Sequence, residues 1–205
     1  MVEAGMIVLG KTHTVEFAMG SFGTNQHMGS PKNPWDLEEH RATGGSSAGT
    51  AAAIAAGLSP LGIGTDTGGS VRIPSAWCGL TGLKTSVGRI STHGVLPLSH
   101  TLDTPGPMCR SVEDAAILYR ILAGPDEQDS RTVIHSVEDP FPELKKGICG
   151  FKLARVADSE LENVDPENLE AYENSLKQLE KLGAIIHRIE LPNSFEEMGA
   201  HVGQI

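Results

Sequence analysis

Two short segments rich in glycine and serine constrain the fold of this chain most. They are Gly44-Gly-Ser-Ser-Ala-Gly49 and Gly64-Thr-Asp-Thr-Gly-Gly-Ser70, and an alanine-rich stretch over residues 47–57 begins within the first of them. Alanine has the highest helix propensity and a minimal side chain, which lets neighbouring backbones approach a helix closely. Residues 47–57 are therefore predicted to form a buried helix that ends at Gly57.

Local patterns predict the elements around these segments. Residues 21–43 are rich in glycine, asparagine, proline and histidine and show no period, which predicts a long loop. Residues 6–9, Met-Ile-Val-Leu, are predicted to form a short buried strand after a last helical turn over residues 2–5, closed by Gly5. The same reasoning predicts a strand over residues 61–64, a glycine turn over residues 66–70 and a short helix over residues 71–78.

The second half of the chain shows clearer helix signals. Ser111-Val-Glu-Asp114 resembles a capping box with aspartate in place of glutamate, and it opens an apolar-periodic helix to about Leu122. Asp165 followed by Pro166 marks the start of a helix that runs to Leu182. Strands are predicted on either side of that helix, over residues 151–156 and 184–191. A strand–helix–strand order is typical of one crossover unit of an α/β sheet.

Charge and composition exclude several classes of protein. The formal net charge is −10, and no basic patch is interleaved with aromatic residues, so direct nucleic-acid binding is not expected. Residues 1–9 lack the features of a signal peptide. The longest nearly apolar run, residues 48–63, is too interrupted to cross a membrane. An acidic cytoplasmic protein with a small or polar substrate is the expectation.

The cysteines and histidines do not point to a metal or disulfide framework. Cys78, Cys109 and Cys149 are widely spaced and form no C-x-x-C pair, so three free thiols in a reducing compartment are expected. The eight histidines show no helical ligand spacing. No metal and no cofactor are predicted, while a Ser-His-Asp triad stays open because triads assemble from distant segments.

The glycine–serine segments suit acyl transfer. A serine hydroxyl needs a base to take its proton, and the oxyanion of the tetrahedral intermediate needs N–H donors that are already in place. Successive glycines let backbone N–H groups point inward without obstruction. Thr67-Gly-Gly-Ser70 is therefore a candidate oxyanion loop with its nucleophile built in. The alternative is an ordinary glycine turn with a helix-capping serine.

Three other motifs fit less well. Gly45-Ser-Ser-Ala-Gly49 matches the nucleophile elbow G-x-S-x-G, but the charged residues before it are not strand-like. Gly79-Leu-Thr-Gly-Leu-Lys-Thr85 departs from the spacing of a phosphate-binding loop, because Leu83 separates Gly82 from Lys84. Gly62-Ile-Gly64 lacks the third glycine of a dinucleotide-binding fingerprint.

The chain resembles the amidase-signature family over about its first 125 residues. The specific part of the resemblance is Ala42-Thr-Gly-Gly-Ser-Ser-Ala-Gly-Thr50, Gly64-Thr-Asp-Thr-Gly-Gly-Ser-Val-Arg-Ile-Pro74 and Cys78-Gly-Leu-Thr-Gly-Leu-Lys-Thr85. It extends upstream through Val8-Leu-Gly-Lys-Thr12, Glu16-Phe-Ala18 and Asn33-Pro-Trp-Asp36, and downstream through Leu102, Asp103, Gly106, Pro107, Arg110 and Ser111.

This resemblance implies an α/β fold with a mixed central sheet flanked by helices, and a Ser–Ser–Lys mechanism. Ser70 matches the acyl-ester nucleophile, and Ser46, held by a cis peptide bond, matches the serine that relays its proton to a lysine. The backbone amides of Thr67, Gly68, Gly69 and Ser70 would form the oxyanion hole. Ser47, Asp66 and Arg72 match substrate-side or supporting positions.

The family's catalytic lysine has no match in the 45 residues before Ser46. Lys11 and Lys84 match other, non-catalytic positions of the family pattern. A desolvated lysine is the base that this mechanism needs, since burial lowers its pKa. We therefore expect a fragment: residues 1–125 form the signature core without its N-terminal segment, and residues 126–205 form a truncated strand–helix–strand portion. Little or no turnover is expected from the chain by itself.

Three functions stay open. The first is an amidase that hydrolyses a small amide or urea-like substrate, which the loop Gly23-Thr-Asn-Gln-His-Met-Gly-Ser30 favours slightly. The second is the glutaminase-like A subunit of a tRNA-dependent amidotransferase, which would need partner subunits. The third is an inactive, non-enzymatic fragment. The expected partners are a small amide substrate and a second copy in a homodimer, or the partner subunits of an amidotransferase, with no direct nucleic acid or membrane contact.

Overall fold

A computed structural model describes residues 1–132, 136–137 and 139–202. The chain divides into two compact units, Met1–Pro140 and Phe141–Ile205, each with its own sheet. The protein is an α/β structure, with antiparallel strands in the first unit and a parallel pair in the second. The domain boundary after residue 125 stays a prediction.

A three-stranded antiparallel sheet forms the centre of the first unit, in the order β1-β3-β2. Strand β1 is Leu61–Asp66, β2 is Thr81–Gly82 and β3 is Thr104–Cys109. In the register of β1 and β3, Leu61 lies opposite Cys109 and Asp66 lies opposite Thr104. All six residues of β3 are buried, as expected for the central strand.

Two prolines lie inside this central strand without breaking its pairing with β1. Pro107 accepts a backbone hydrogen bond from Leu83 at 2.9 Å, so its carbonyl points to the β2 side. Because the N and the carbonyl of one strand residue point to the same side, the missing N–H groups of Pro105 and Pro107 face away from β1. The ladder between β1 and β3 therefore keeps its donors.

Helices α1 (Ala48–Ala55) and α2 (Arg72–Trp77) lie against the sheet. Small side chains on α1 give close contact, and Gly57, with φ +75°, ends the predicted alanine-rich helix. Helix α3 (Val112–Leu122) begins at Ser111, whose hydroxyl accepts the Asp114 N–H at 3.1 Å as the capping box predicts. One hydrophobic cluster, between α1, α2 and the sheet, contains Ala51, Ile54, Val71, Cys78 and Met108.

The strand predicted over residues 6–9 is wrong. Ile7, Val8 and Leu9 are irregular and exposed by 84%, 66% and 72%. A strand forms only where its backbone pairs with a neighbour, and within the described ranges no strand pairs with this segment. The helical turn before it is confirmed as a 3₁₀ turn, Val2–Ala4, and residues 21–43 are confirmed as a loop.

The second unit is the predicted crossover. Strands β4 (Lys152–Val156) and β5 (Ile185–Ile189) pair in parallel and are joined through helix α5 (Pro166–Lys181), while α4 (Phe141–Leu144) and α6 (Phe195–Val202) lie outside the crossover. Asp165 caps α5 by accepting the Glu167 N–H at 3.0 Å. Among the described residues, no helix is long and apolar enough to cross a membrane.

Candidate active site

A backbone hydrogen bond joins the two glycine–serine segments. The N–H of Ser47 donates to the carbonyl of Ser70 at 3.3 Å, and the N–H of Val15 donates to the carbonyl of Ser46 at 3.1 Å. The Gly45–Ser46 peptide bond is cis, and Ser46 is buried. The fold therefore brings the segment of Ser46 to the segment of Ser70, as the motifs predict for residues that act together.

Glycines make this approach possible. A side chain at Gly44, where φ is +76°, would place its Cβ 2.8 Å from the Cα of Pro74. At Gly45 the Cβ would lie 2.9 Å from the N of Gly23. Real Cβ atoms do not come so close to backbone, so the chain on both sides of the cis bond can be held this tightly only by glycine.

Ser47 serves as a structural link between α1 and β1. Its hydroxyl accepts the N–H of Thr65 at 3.2 Å and lies 3.3 Å from the Thr65 carbonyl, to which it donates. The residue is buried. Its hydroxyl therefore donates to and accepts from the backbone of one residue, Thr65, which is a structural contact between α1 and β1.

The glycine loop after β1 is organised by the carboxylate of Asp66, which is fully buried. It accepts the N–H groups of Gly69 at 2.8 Å and Val71 at 3.1 Å. The Arg72 guanidinium completes the shell through two hydrogen bonds of 3.0 Å. One carboxylate therefore holds both ends of the turn that carries Ser70.

Burial and hydrogen bonding act in opposite directions on Asp66. Desolvation raises the pKa of its carboxyl, but the hydrogen bonds from Arg72, Val71 and Gly69 together outweigh it, so the pKa lies below its ordinary value. The same pair raises the pKa of Arg72. The ion pair is charged at neutral pH, and its role is to shape the loop.

The four amides predicted for the oxyanion hole are not equivalent. The Gly69 N–H already donates to Asp66 at 2.8 Å, so it is engaged within the loop. Within the described part of the chain, the N–H groups of Thr67, Gly68 and Ser70 make no hydrogen bond. A Cβ at Gly68 would have nothing within 4 Å, so the loop is open on that side. Among the described residues, three of the four predicted donors therefore keep an N–H group without a hydrogen-bond partner.

Asp103 is a residue of the site that sequence reasoning did not single out. Its Oδ1 accepts the hydroxyl of Thr67, and its Oδ2 accepts the N–H groups of Leu98 at 2.8 Å and Ser99 at 3.0 Å. In the sequence it is only one position of the family pattern. A buried aspartate directly before a strand is a weak signal, because its partner lies 36 residues away.

Among the described residues, no lysine forms a hydrogen bond with Ser46 or Ser70. Lys84 instead donates to the carbonyl of Thr85 at 2.6 Å.

The described residues also contain no cluster of three potential metal ligands. Burial raises the pKa of the Cys78 thiol to about 11 and, with the charge of Asp114, that of Cys109 to about 12.

The sequence model of the Amidase family matches residues 1–201. The chain belongs to the Amidase family. This confirms the resemblance that the glycine–serine segments carry, and it extends family membership to the second unit. The name of the family accords with the acyl-transfer chemistry argued from the residues.

The chain is similar in sequence and structure to relatives of two kinds. The A subunit of glutamyl-tRNA(Gln) amidotransferase from Nitrosococcus oceani is 46% identical over 93% of the chain. The crystal structure of the corresponding Thermotoga maritima protein matches with a TM-score of 0.88, 41% identity and 94% coverage. Peptide amidase from Stenotrophomonas maltophilia matches with a TM-score of 0.86, 35% identity and 98% coverage. The chain spans 39% to 42% of the length of these relatives.

Proposed function

We propose that Ser70 is the acyl nucleophile of an enzyme that cleaves carbon–nitrogen amide bonds, with Ser46 as its proton relay. The observation that carries the proposal is the hydrogen bond from Ser47 N–H to the Ser70 carbonyl, since it sets the segment of the buried Ser46 beside the candidate nucleophile. Family membership supports the reaction class.

The proposed reaction has two halves. The Ser70 Oγ attacks the amide carbonyl carbon, while its proton passes to Ser46 and the Ser46 proton passes to a base. The oxyanion lies at the amides of Thr67, Gly68 and Ser70. Collapse breaks the C–N bond, and the leaving nitrogen takes up the proton. In the second half, water or an amine attacks the carbonyl carbon of the seryl ester. This releases the acyl product and restores the Ser70 hydroxyl.

The base in this proposal is a lysine, as the family resemblance implies. Lys11 and Lys84 match other positions of the family pattern. The lysine is therefore assigned to a segment other than those that hold the two serines. Because no hydrogen bond among the described residues joins a lysine to either serine, turnover by this chain alone is expected to be slow, and covalent labelling of Ser70 is the more sensitive measurement.

A fluorophosphonate probe tests the nucleophile directly. The Ser70 Oγ forms a bond to phosphorus, the P–F bond breaks, and fluoride leaves, with the hydroxyl proton taken up by the base or by solvent. We expect mass spectrometry to map the adduct to Ser70, and labelling to disappear in Ser70→Ala. Ser86→Ala, a change at an exposed serine, is the matched control. Equal labelling of Ser70→Ala and the parent contradicts the proposal and favours the inactive fragment.

Two substrate classes remain, and an observation favours each. Identity with the amidotransferase A subunits, 46% and 41%, favours the side-chain amide of glutamine. The loop over residues 23–30 favours a small amide or urea-like compound. The relatives are stronger support, because their likeness covers more than nine tenths of the chain, so glutamine is our first choice.

Competition distinguishes these substrates without turnover. A substrate that occupies the acyl site should slow phosphonylation of Ser70. We expect millimolar glutamine to protect Ser70 more than acetamide or N-methylurea at equal concentration. Greater protection by acetamide or N-methylurea would make a small amide the first choice of substrate.

Light scattering of the purified chain, alone and with candidate partner subunits, tests the proposed homodimer against an amidotransferase-like complex.

A further inference from the structure

We propose that Asp103 is a positioning residue for the oxyanion hole, which it acts on through the hydroxyl of Thr67. The inference rests on the proposed role of Ser70 and its loop. No hydrogen bond among the described residues joins Asp103 to Ser46 or Ser70, so its proposed contribution is to fix where the Thr67 and Gly68 amides point.

The sheet register places the two residues together. Asp66 is the last residue of β1 and lies opposite Thr104, the first residue of β3. Thr67 follows Asp66 and Asp103 precedes Thr104, so both lie just beyond this pair at the same end of the two strands. The Thr104 hydroxyl donates to the Asp66 carbonyl at 2.9 Å, which fastens this end of the ladder. The contact between Thr67 and Asp103 is therefore a consequence of strand pairing.

The Asp103 carboxylate is itself held firmly. It is only 6% exposed, and its Oδ2 accepts the N–H groups of Leu98 and Ser99 at 2.8 and 3.0 Å. Its Oδ1 is then directed at the Thr67 hydroxyl. A buried carboxylate with three donors has little freedom to move, because each lost hydrogen bond to a buried charge is costly. Asp103 is a fixed anchor for Thr67.

The loop needs this anchor because packing does not supply one. Gly68 is exposed, and a Cβ there would meet nothing within 4 Å. Asp66 holds the Gly69 and Val71 amides at the far end of the loop. The Thr67–Gly68 peptide between the two carboxylates is fixed through the Thr67 side chain. Rotation of that peptide would turn the Gly68 N–H away from a developing oxyanion, where donors must be in place beforehand.

Four variants in the 205-residue chain test the clamp formed by Thr67 and Asp103. Thr67→Val removes the hydroxyl at nearly constant shape, and Thr67→Ser keeps it. Asp103→Leu removes every acceptor, while Asp103→Asn keeps an oxygen for Leu98 and Ser99 and an amide that can donate to Thr67. The matched controls are Thr81→Val, a half-buried threonine outside the loop, and Asp129→Asn, a buried carboxylate with other partners.

The first readout is the rate at which the fluorophosphonate labels Ser70, compared at equal folded fraction. We expect Thr67→Val and Asp103→Leu to lower this rate by about 10- to 100-fold, somewhat less than the loss of a whole oxyanion donor. Thr67→Ser, Asp103→Asn and both controls should stay within about threefold. The Thr67→Val, Asp103→Leu double variant should be no slower than Asp103→Leu, because the two changes remove one interaction.

The second readout is structural and does not depend on labelling. In ¹⁵N–¹H spectra of this 21.7 kDa chain, Asp103→Leu, a change 36 residues away in the sequence, should shift or broaden the Thr67 and Gly68 amides, and leave those of Val71 and Arg72, held by Asp66, in place. Unmoved Thr67 and Gly68 amides in Asp103→Leu overturn the inference whatever the labelling shows. Labelling that is independent of Ser70 overturns the proposed function instead, and the spectra then still decide the clamp.

Discussion

The backbone N–H of Ser47 donates to the carbonyl of Ser70 across 3.3 Å, and this bond ties the start of α1 to the end of the glycine loop. It makes Ser47 and Ser70 neighbours although the two motifs lie in separate segments. The side chain of Ser47 turns the other way, to Thr65 on β1. The backbone of Ser47 therefore meets the segment of the proposed nucleophile, while its side chain fastens the helix to the sheet.

Ser47→Ala should lower stability without removing the nucleophile. The change deletes the hydroxyl that accepts the Thr65 N–H, and a lost buried hydrogen bond costs about 1–3 kcal/mol. Denaturant unfolding of the variant measures that loss. Labelling of Ser70 in the folded fraction should persist, in contrast to Ser70→Ala. A Ser47→Ala protein as stable as the parent would contradict the structural role.

Gly64→Ala should destabilise the folded protein although it adds only one methyl group. The added Cβ would lie 2.6 Å from the Ser47 Oγ and 2.8 Å from the Met108 Sδ, so Ser47 would have to move from Thr65. Overpacking of this kind costs about 1–3 kcal/mol. Gly10→Ala is the matched control, since nothing lies within 4 Å of its Cβ. Thermal unfolding should separate the two variants by several degrees, and equal midpoints would show that the space at Gly64 can adapt.

Asp66 should make stability depend on pH in acid. Its folded pKa lies below the ordinary 3.8, so its contribution is fully present above pH 3.8 and is lost as the pH falls through the lower folded value. Asp66→Asn should cost about 1.5–3 kcal/mol at pH 7, the usual range for hydrogen bonds to a charged group. Denaturant unfolding of both proteins from neutral pH into acid measures the difference, which should shrink below pH 3.8. A constant difference throughout would mean that Asp66 is not held as an anion.

The three thiols should react at very different rates. Cys149 is exposed, while Cys78 and Cys109 are buried with pKa values raised to about 11 and 12. Since the thiolate is the reacting form, a disulfide reagent at mildly alkaline pH should titrate one thiol quickly and two only on unfolding. Cys149→Ser should abolish the fast phase. Three rapid thiols in the native protein would show that the core around Cys78 and Cys109 opens readily.

Local sequence signals predicted the helices well. The structure confirms the three helices that local signals predicted. Each signal depends on residues within one or two helical turns: the alanines of residues 47–57, the cap at Ser111 and the Asp165-Pro166 start. The strand predicted over residues 6–9 failed because a strand needs a paired neighbour, which no local pattern specifies. For the same reason β3, with its two prolines, was not predicted, although it is the central strand of its sheet.

The sequence by itself determined the family and predicted the glycine loop and the two candidate serines, because glycine and serine at these spacings are typical of that family. The tertiary structure alone decided how they are supported. It directs the Gly69 N–H to Asp66, turns Ser47 to Thr65 and sets Asp103 against Thr67. These relationships depend on strand register and on backbone orientation, which are properties of segments distant in the chain and are settled only when the sheet is formed.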